Sequence, residues 1–203
     1  MQDNRFSHLF SKKNSEKATT LTKGSKKLIL LFFTLFFFFY LEYKPYHTQA
    51  HAVSSLSETI FTLYQFIINQ TLGIVHEGGH GVCYILPCPK FMGVFNGTLF
   101  QWLFPLGIAL YYKRKHNMMA FYAGLFILSI SLDYSAWYMS TAQQGAYVPA
   151  AKSFLGVDGL HDFHYIFTTL GVLSYASFIA GFTKAISMIL MFGALLAMFF
   201  EAF

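Results

Sequence analysis

Long apolar segments separated by short polar ones run through most of the chain, and this pattern predicts a series of helices. Six such segments follow one another at residues 28–41, 57–85, 91–112, 118–139, 162–180 and 184–203, the last two separated near Gly181. A helix that crosses a bilayer needs about 17–25 mostly apolar residues. The chain is therefore predicted to be all-α, a polytopic membrane bundle of about six transmembrane helices.

The first and third segments each leave two interpretations open. Residues 28–41 follow a basic stretch and precede an Ala-His-Ala sequence at 50–52. They form either a retained signal-anchor helix, which we favour, or a cleaved secretory signal. Residues 91–112 contain polar side chains at 96, 98 and 101. They form either one span or a re-entrant segment that leads into a shorter span.

The composition indicates a membrane protein with a separate basic tail. Of the 203 residues, 55% are hydrophobic and 11% are charged, whereas ordinary soluble domains carry about 25% charged residues. The net charge of +5 comes from residues 1–27, which hold seven Lys or Arg and two acidic residues. Basic residues beside a first span stay on the cytoplasmic side. We therefore expect a basic cytoplasmic tail at 1–27, an integral-membrane domain at 28–203, and no nucleic-acid partner.

The basic residues conflict over orientation. With six alternating spans and a cytoplasmic N-terminus, the cluster Lys113-Arg114-Lys115 falls on the outer side, against the positive-inside rule. Either the stronger N-terminal signal prevails, or residues 91–112 do not cross as one span. We expect a multi-pass protein of the bacterial inner membrane with its N-terminus in the cytoplasm.

The two cysteines give little information. Cys83 and Cys88 lie in the sequence CYILPC, which is not a C-x-x-C motif, and the chain has no second pair. We expect both as buried thiols, since the spacing alone gives no argument for a disulfide.

The second segment carries a stripe of polar and small residues. Gln65, Asn69, Gly73, His76 and His80 follow one another at steps of four, four, three and four, which places them on one helix face. Polar groups in a membrane helix face protein or water, so this face is expected to point into the bundle.

The stripe ends in the sequence His-Glu-Gly-Gly-His at 76–80, which predicts a metal site. Histidines at i and i+4 of a helix can bind one Zn²⁺ together. Glu77 lies between them and can take a proton from a bound water. The glycines at 78, 79 and 81 either leave room for a substrate strand or allow close helix packing.

The stretch from Ile74 to Gly81 resembles the site-2 proteases, a family of intramembrane zinc metallopeptidases. In that family two motif histidines and an aspartate from a later helix hold the zinc, and the glutamate is the catalytic base. The resemblance implies that His76 and His80 bind zinc, that Glu77 is the base, and that peptide bonds of membrane-embedded proteins are hydrolysed. Because the chain has no recognisable soluble substrate-selecting domain, substrates would be recognised by the bundle or by an accessory subunit.

The third zinc ligand has several candidates near residue 160. The family's Asp-Gly motif is matched most literally by Asp158 and the glycine after it, but their polar loop favours a turn. The sequence HDFH at 161–164 opens the predicted fifth helix. There Asp162 is favoured, either as the ligand or as a residue that orients His161. His161 is the next candidate and His164 the third.

A further aspartate and the order of the helices bear on the same question. Asp133, within the fourth segment, is either a proton relay or a packing partner for a buried donor. The HEGGH sequence ends the second helix and HDFH begins the fifth. If helices three and four both cross, the two motifs fall on the same membrane face.

Two other classes of function compete with the protease. A membrane di-iron hydroxylase or desaturase would use the histidine pairs at 47/51, 76/80 and 161/164, but the chain has no adjacent His pair. The pair at 47/51 is also expected at the opposite face from HEGGH. A transporter or scaffold without activity would have no need of the intact Glu77.

Overall fold

The computed structural model describes residues 21–43, 55–148 and 159–203. Most of the basic tail, the histidines at 47 and 51, and Asp158 lie outside the described residues, so the expectations about them stay predictions. The described residues form six helices and one short antiparallel pair of strands: α1 Lys23–Tyr43, α2 Leu56–Ile85, α3 Lys90–Arg114, α4 Met118–Ser140, β1 Tyr147–Val148, β2 Gly159–Leu160, α5 Asp162–Thr169 and α6 Ala176–Ala202.

The predicted all-α class is confirmed, but not the count of six spans. Four stretches of the described chain are helical, long and apolar enough to cross a membrane: Lys23–Tyr43, Lys90–Arg114, Met118–Gln144 and Leu173–Ala202. They correspond to α1, α3, α4 and α6. Helix α2 is not among them, and α5 has eight residues. At 1.5 Å per residue, α5 is about 12 Å long, far short of the bilayer core.

The predicted break between the last two helices near Gly181 is wrong. Residue 181 lies inside α6, and the chain turns ten residues earlier, at Gly171, whose φ is 69°. Glycine adopts this left-handed conformation without the steric cost that a Cβ would bring. Helix α5 therefore ends at Thr169, and a short 3-10 turn, Leu173–Tyr175, leads into α6.

Residues 91–112, which the sequence left open as one span or a re-entrant segment, lie in a single helix. Its polar side chains, Asn96, Thr98 and Gln101, are buried against neighbouring helices. The Trp102 indole N–H donates to Ser135 Oγ at 2.9 Å, and Ser131 Oγ donates to the carbonyl of residue 101 at 3.1 Å. The side chains of Asn96 and Gln101 contact α2, whereas Trp102 and the backbone carbonyl of residue 101 join α3 to α4.

One core joins α1, α2, α4 and α6. It contains Phe36, Phe61, Phe126 and Met191, all buried. Helix α6 runs antiparallel to α4, with Ser187 Oγ donating to the carbonyl of Ser129 at 2.7 Å. Helix α1 thus packs into the bundle, although much of its surface is exposed.

The expectation of free thiols is wrong, because Cys83 and Cys88 form a disulfide. Helix α2 ends at Ile85, and the turn that follows reverses the chain before α3 begins at Lys90. This turn brings the two Cα atoms to 5.2 Å, inside the range that a disulfide requires.

Candidate metal centre

Two histidines of α2 face each other on its inner side. His76 and His80 are one turn apart, and their Nε2 atoms lie 3.1 Å from one another. The rings are nearly perpendicular, with centroids 4.7 Å apart. Both side chains are partly buried between α2 and α3, so the histidine end of the predicted stripe does point into the protein.

Asp162, the first residue of α5, completes the group. Its Oδ2 lies 2.9 Å from His76 Nε2 and 3.4 Å from His80 Nε2. One ligand atom from each of the three residues lies within 4.8 Å of the others. These distances confirm the prediction that the HDFH segment meets the two histidines, while the membrane face on which the two motifs lie stays a prediction.

The chain on both sides of Asp162 holds it in place. The backbone N–H of His161 donates to the carbonyl of Ala146 at 2.9 Å, next to the β1–β2 pair. The N–H of Asp162 donates to Tyr138 Oη at 3.2 Å. Strand β2 and helix α4 together set the position of the carboxylate.

Each histidine turns its Nδ1 toward a hydrogen-bond acceptor. His76 Nδ1 lies 3.1 Å from the side-chain oxygen of Gln101, and His80 Nδ1 lies 2.7 Å from the carbonyl oxygen of Gly93. An oxygen acceptor at Nδ1 requires the proton there, which leaves the Nε2 lone pair free. Two imidazole lone pairs and a carboxylate oxygen therefore converge on one point. Such a donor set could hold a metal ion, and its nitrogen and oxygen atoms fit Zn²⁺.

Glycine at position 97 makes room for both rings. A Cβ built there would lie 2.6 Å from a ring carbon of His80 and 2.8 Å from His76 Nε2. These separations are shorter than any normal contact, so only glycine allows both imidazoles their present positions. Asn96 and Gly97 interrupt the apolar pattern of α3. This interruption is the feature of the sequence that marks the part of α3 next to the two histidines.

The glycines of the motif serve different purposes. A Cβ on Gly79 would overlap the backbone of Asn96 and approach Phe100 Cβ to 2.9 Å, so this glycine allows close packing of α2 on α3. Gly78 and Gly81 have nothing within 4 Å of a built Cβ. Close packing therefore explains Gly79, whereas the interpretation that Gly78 and Gly81 leave room for a substrate strand stays a prediction.

Glu77 is partly buried and lies next to the group in sequence. It lies within one helical turn of both histidines on α2.

The structure does not place His161 in the group, which corrects its prediction as a ligand. Its Nδ1 accepts the N–H of His164 at 3.3 Å and so caps α5, while its Nε2 donates to Thr141 Oγ1 at 3.0 Å. The ring stacks on Tyr138 at 4.2 Å. Burial lowers the pKa of His161 to about 4, so the ring is neutral and both nitrogens are in use.

The other candidate ligands also lie elsewhere in the described residues. His164 Nδ1 contacts the carbonyl of Ala142 at 2.8 Å. Asp133 is buried in α4, where its Oδ2 accepts the hydroxyl of Tyr40 at 2.6 Å, and it is not part of the metal group. The packing interpretation of Asp133 is the one that this contact supports.

Comparison of the chain with protein-family models, with curated proteins and with solved structures finds no match. The function is therefore inferred from the residues of the site and those around it.

Proposed function

We propose that this protein is a zinc-dependent endopeptidase that hydrolyses peptide bonds of membrane-embedded proteins. The observation that carries the proposal is the convergence of His76 Nε2, His80 Nε2 and Asp162 Oδ2 beside Glu77. Three protein ligands that leave a fourth position for water are the usual set of a catalytic zinc site, whereas structural sites are closed by four.

The protein residues have separate tasks in this proposal. His76, His80 and Asp162 would hold the ion, which would supply Lewis acidity and lower the pKa of a water toward 7. Glu77 takes a proton from the attacking water and returns it to the leaving amine nitrogen. Gln101 and Gly93 keep the Nδ1 protons of the histidines in place, so that each ring presents its Nε2.

An apolar cavity of about 310 Å³ supports a membrane-embedded substrate. It lies among α1, α2, α3 and α4, and Leu72 and Phe104 belong to its wall. Leu72 is one helical turn from His76, and Phe104 is about one turn from Gln101. The residues of the metal group do not line this cavity, and the proposal places an apolar side chain of the substrate in it, one helical turn along α2 from His76.

The proposal is tested by metal content and hydrolysis of the purified full chain. Elemental analysis is expected to give about one zinc per chain, and the double variant His76→Ala, His80→Ala is expected to give none. His116→Asn is the control, because His116 is exposed at the far end of α3. A wild-type protein without zinc, or with two irons per chain, would contradict the proposal.

Hydrolysis separates an enzyme from a metal-binding scaffold. In liposomes with single-span reporter peptides, the wild type is expected to cleave and Glu77→Gln is expected to keep zinc but lose cleavage, because an amide cannot accept the proton. Glu58→Gln, in the first turn of the same helix, is the matched control. Cleavage by Glu77→Gln at the wild-type rate would show that the base is assigned wrongly.

A further inference from the structure

Charged side chains are divided unequally between the two ends of the bundle. We define the basic end as the start of α1 together with the turn between α3 and α4 and the last turn of α6. It carries six basic side chains and one acidic one among the described residues: Lys23, Lys26, Lys27, Lys113, Arg114, Lys115 and Glu201. The other end, called the site end, carries four acidic and two basic ones among the described residues: Glu42, Glu58, Glu77, Asp162, Lys90 and Lys184.

Contacts with α6 place the start of α1 at the basic end. Lys26 pairs with the carboxylate of Glu201, and its Nζ also donates to the carbonyl of that residue at 3.4 Å. Lys27 lies over the ring of Phe203, 4.5 Å from its centroid. The first turn of α1 is therefore packed against the last turn of α6.

The direction of α6 then locates this corner relative to α4. Thr183 contacts Met139 and Ser187 contacts Ser129, so residue numbers rise along α6 as they fall along α4. The end of α6 consequently reaches the start of α4, where Met198 shares a core with Met119. The start of α4 follows Lys113-Arg114-Lys115 directly, so the two basic clusters lie at one end.

The metal group and the disulfide lie at the opposite end of α3. His80 contacts Gly93, and Asn96 Nδ2 donates to Cys83 Sγ at 2.8 Å. Lys113 follows Gly93 by twenty residues of one continuous helix, a rise of about 30 Å. This distance is close to the thickness of the hydrocarbon core of a bilayer.

Helix α2 does not carry the chain back across the bundle. It begins beside the end of α1, where Tyr43 Oη lies 3.0 Å from Ser57 Oγ, and it ends in the turn that starts α3. The chain therefore crosses the bundle in one direction as α1 and returns in the opposite direction as α3, and α2 adds no crossing between them. This removes the conflict that six alternating spans create between the N-terminal lysines and Lys113-Arg114-Lys115.

We infer that the basic end lies among the anionic headgroups of the cytoplasmic leaflet, and that the metal group opens toward the opposite, oxidising side. Two independent observations support this orientation. Lysine and arginine beside spans remain in the cytoplasm and are attracted to anionic lipids. Disulfides such as Cys83–Cys88 persist in oxidising compartments and are rare in the cytoplasm.

The inference rests in part on the proposed function, since it names where the hydrolase would act. Substrate bonds would be cut near the non-cytoplasmic surface of the membrane. The orientation itself depends only on charge and on the disulfide, so it can be tested without any measurement of activity.

The test uses cysteine labelling in intact bacterial cells that express the full chain. Gln144→Cys, exposed at the site end, and Lys115→Cys, exposed at the basic end, each introduce one free thiol. A membrane-impermeant maleimide, without reductant, is expected to label Gln144→Cys in intact cells and Lys115→Cys only after permeabilisation. The reverse pattern, or labelling of both from the same side, would overturn the inference.

Two controls make the outcome specific. The parent chain is expected to stay unlabelled until a reductant is added, because Cys83 and Cys88 are bonded to each other. Labelling before reduction would show that the two thiols are free and that the disulfide does not support the orientation. The Glu77→Gln background is expected to give the same labelling. Correct labelling without hydrolysis would refute the proposed activity alone, and hydrolysis with reversed labelling would refute the orientation alone.

Charge itself is tested by replacing the cluster of the α3–α4 turn. Changing Lys113, Arg114 and Lys115 to Gln is expected to let a share of the molecules insert the other way, so that a Gln144→Cys thiol becomes partly inaccessible from outside. Changing Lys90 and Lys184 to Gln in the same background should not have this effect. Equal behaviour of the two sets would show that the basic end does not set the orientation.

Discussion

His76 Nδ1 lies 3.1 Å from the side-chain oxygen of Gln101, although the two residues come from different helices. Gln101 is 2% exposed, and its own backbone carbonyl accepts a hydrogen bond from Ser131. The glutamine is therefore held by α4 while its side chain orients an imidazole of α2. Residues that orient a metal ligand in this way commonly change the affinity of the site for its metal.

The first prediction concerns that contact. Gln101→Ala is expected to weaken zinc binding by about 10–100-fold, because His76 loses the acceptor that fixes its Nδ1 proton. The measurement is competition with a chelator of known affinity in detergent. Gln144→Ala, at an exposed position outside the group, should bind zinc like the wild type. Unchanged affinity in Gln101→Ala would show that His76 is oriented by something else.

A second prediction uses two glycines of α3. Gly97→Ala would force a methyl group into both imidazoles, and zinc affinity is expected to fall by more than the roughly 100-fold upper range of an orienting residue. In Gly107→Ala, about three turns later in α3, the new methyl group meets nothing within 4 Å, and this variant should bind zinc normally. Its thermal stability should rise slightly, since alanine favours a helix by about 1 kcal/mol over glycine.

The third prediction separates Asp162 from His161. Asp162→Ala is expected to abolish tight zinc binding, since it removes a ligand. His161→Asn should retain the metal, because asparagine is also a good cap for the start of α5. Isothermal titration with zinc on both variants distinguishes the roles. Loss of zinc in His161→Asn together with retention in Asp162→Ala would reverse our assignment of the third ligand.

The fourth prediction concerns the buried contact of α1 with α4. Asp133 Oδ2 accepts the hydroxyl of Tyr40, and its Oδ1 has no hydrogen-bond partner among the described residues. Tyr40→Phe would leave the carboxylate without this donor and is expected to lower the free energy of unfolding by about 1–3 kcal/mol.

Thermal unfolding in detergent, followed by circular dichroism, measures this loss. Tyr43→Phe, which removes a less buried hydroxyl contact with Ser57, is the matched control and should cost less. In the double variant Tyr40→Phe, Asp133→Leu, part of the loss should be recovered, because no buried carboxylate remains unpaired. Equal effects of Tyr40→Phe and Tyr43→Phe would show that the buried pair has no special role.

The sequence alone determined the features that depend on local spacing. The period of the helix places His76 and His80 on one face with Glu77 between them. The apolar runs predict α2, α3 and α4 closely, whereas α1 begins five residues before the predicted segment 28–41. These properties are set by residues within a few turns of each other, which is why a single sequence is sufficient to find them.

The tertiary structure alone decided the features that depend on distant parts of the chain. The sequence did not decide between Asp162 and His161 as the third ligand. In the fold, Thr141 contacts Nε2 of His161 and Tyr138 covers its ring face, so His161 is held away from the metal group. Likewise, the Cys83–Cys88 bond and the turn at Gly171 depend on backbone paths that apolar periodicity does not specify. The direction of α1 depends on the contact of Lys26 with Glu201, across almost the whole sequence. Hydropathy records how apolar a segment is, but not which neighbour it packs against, so only the folded chain could place both basic clusters at one end.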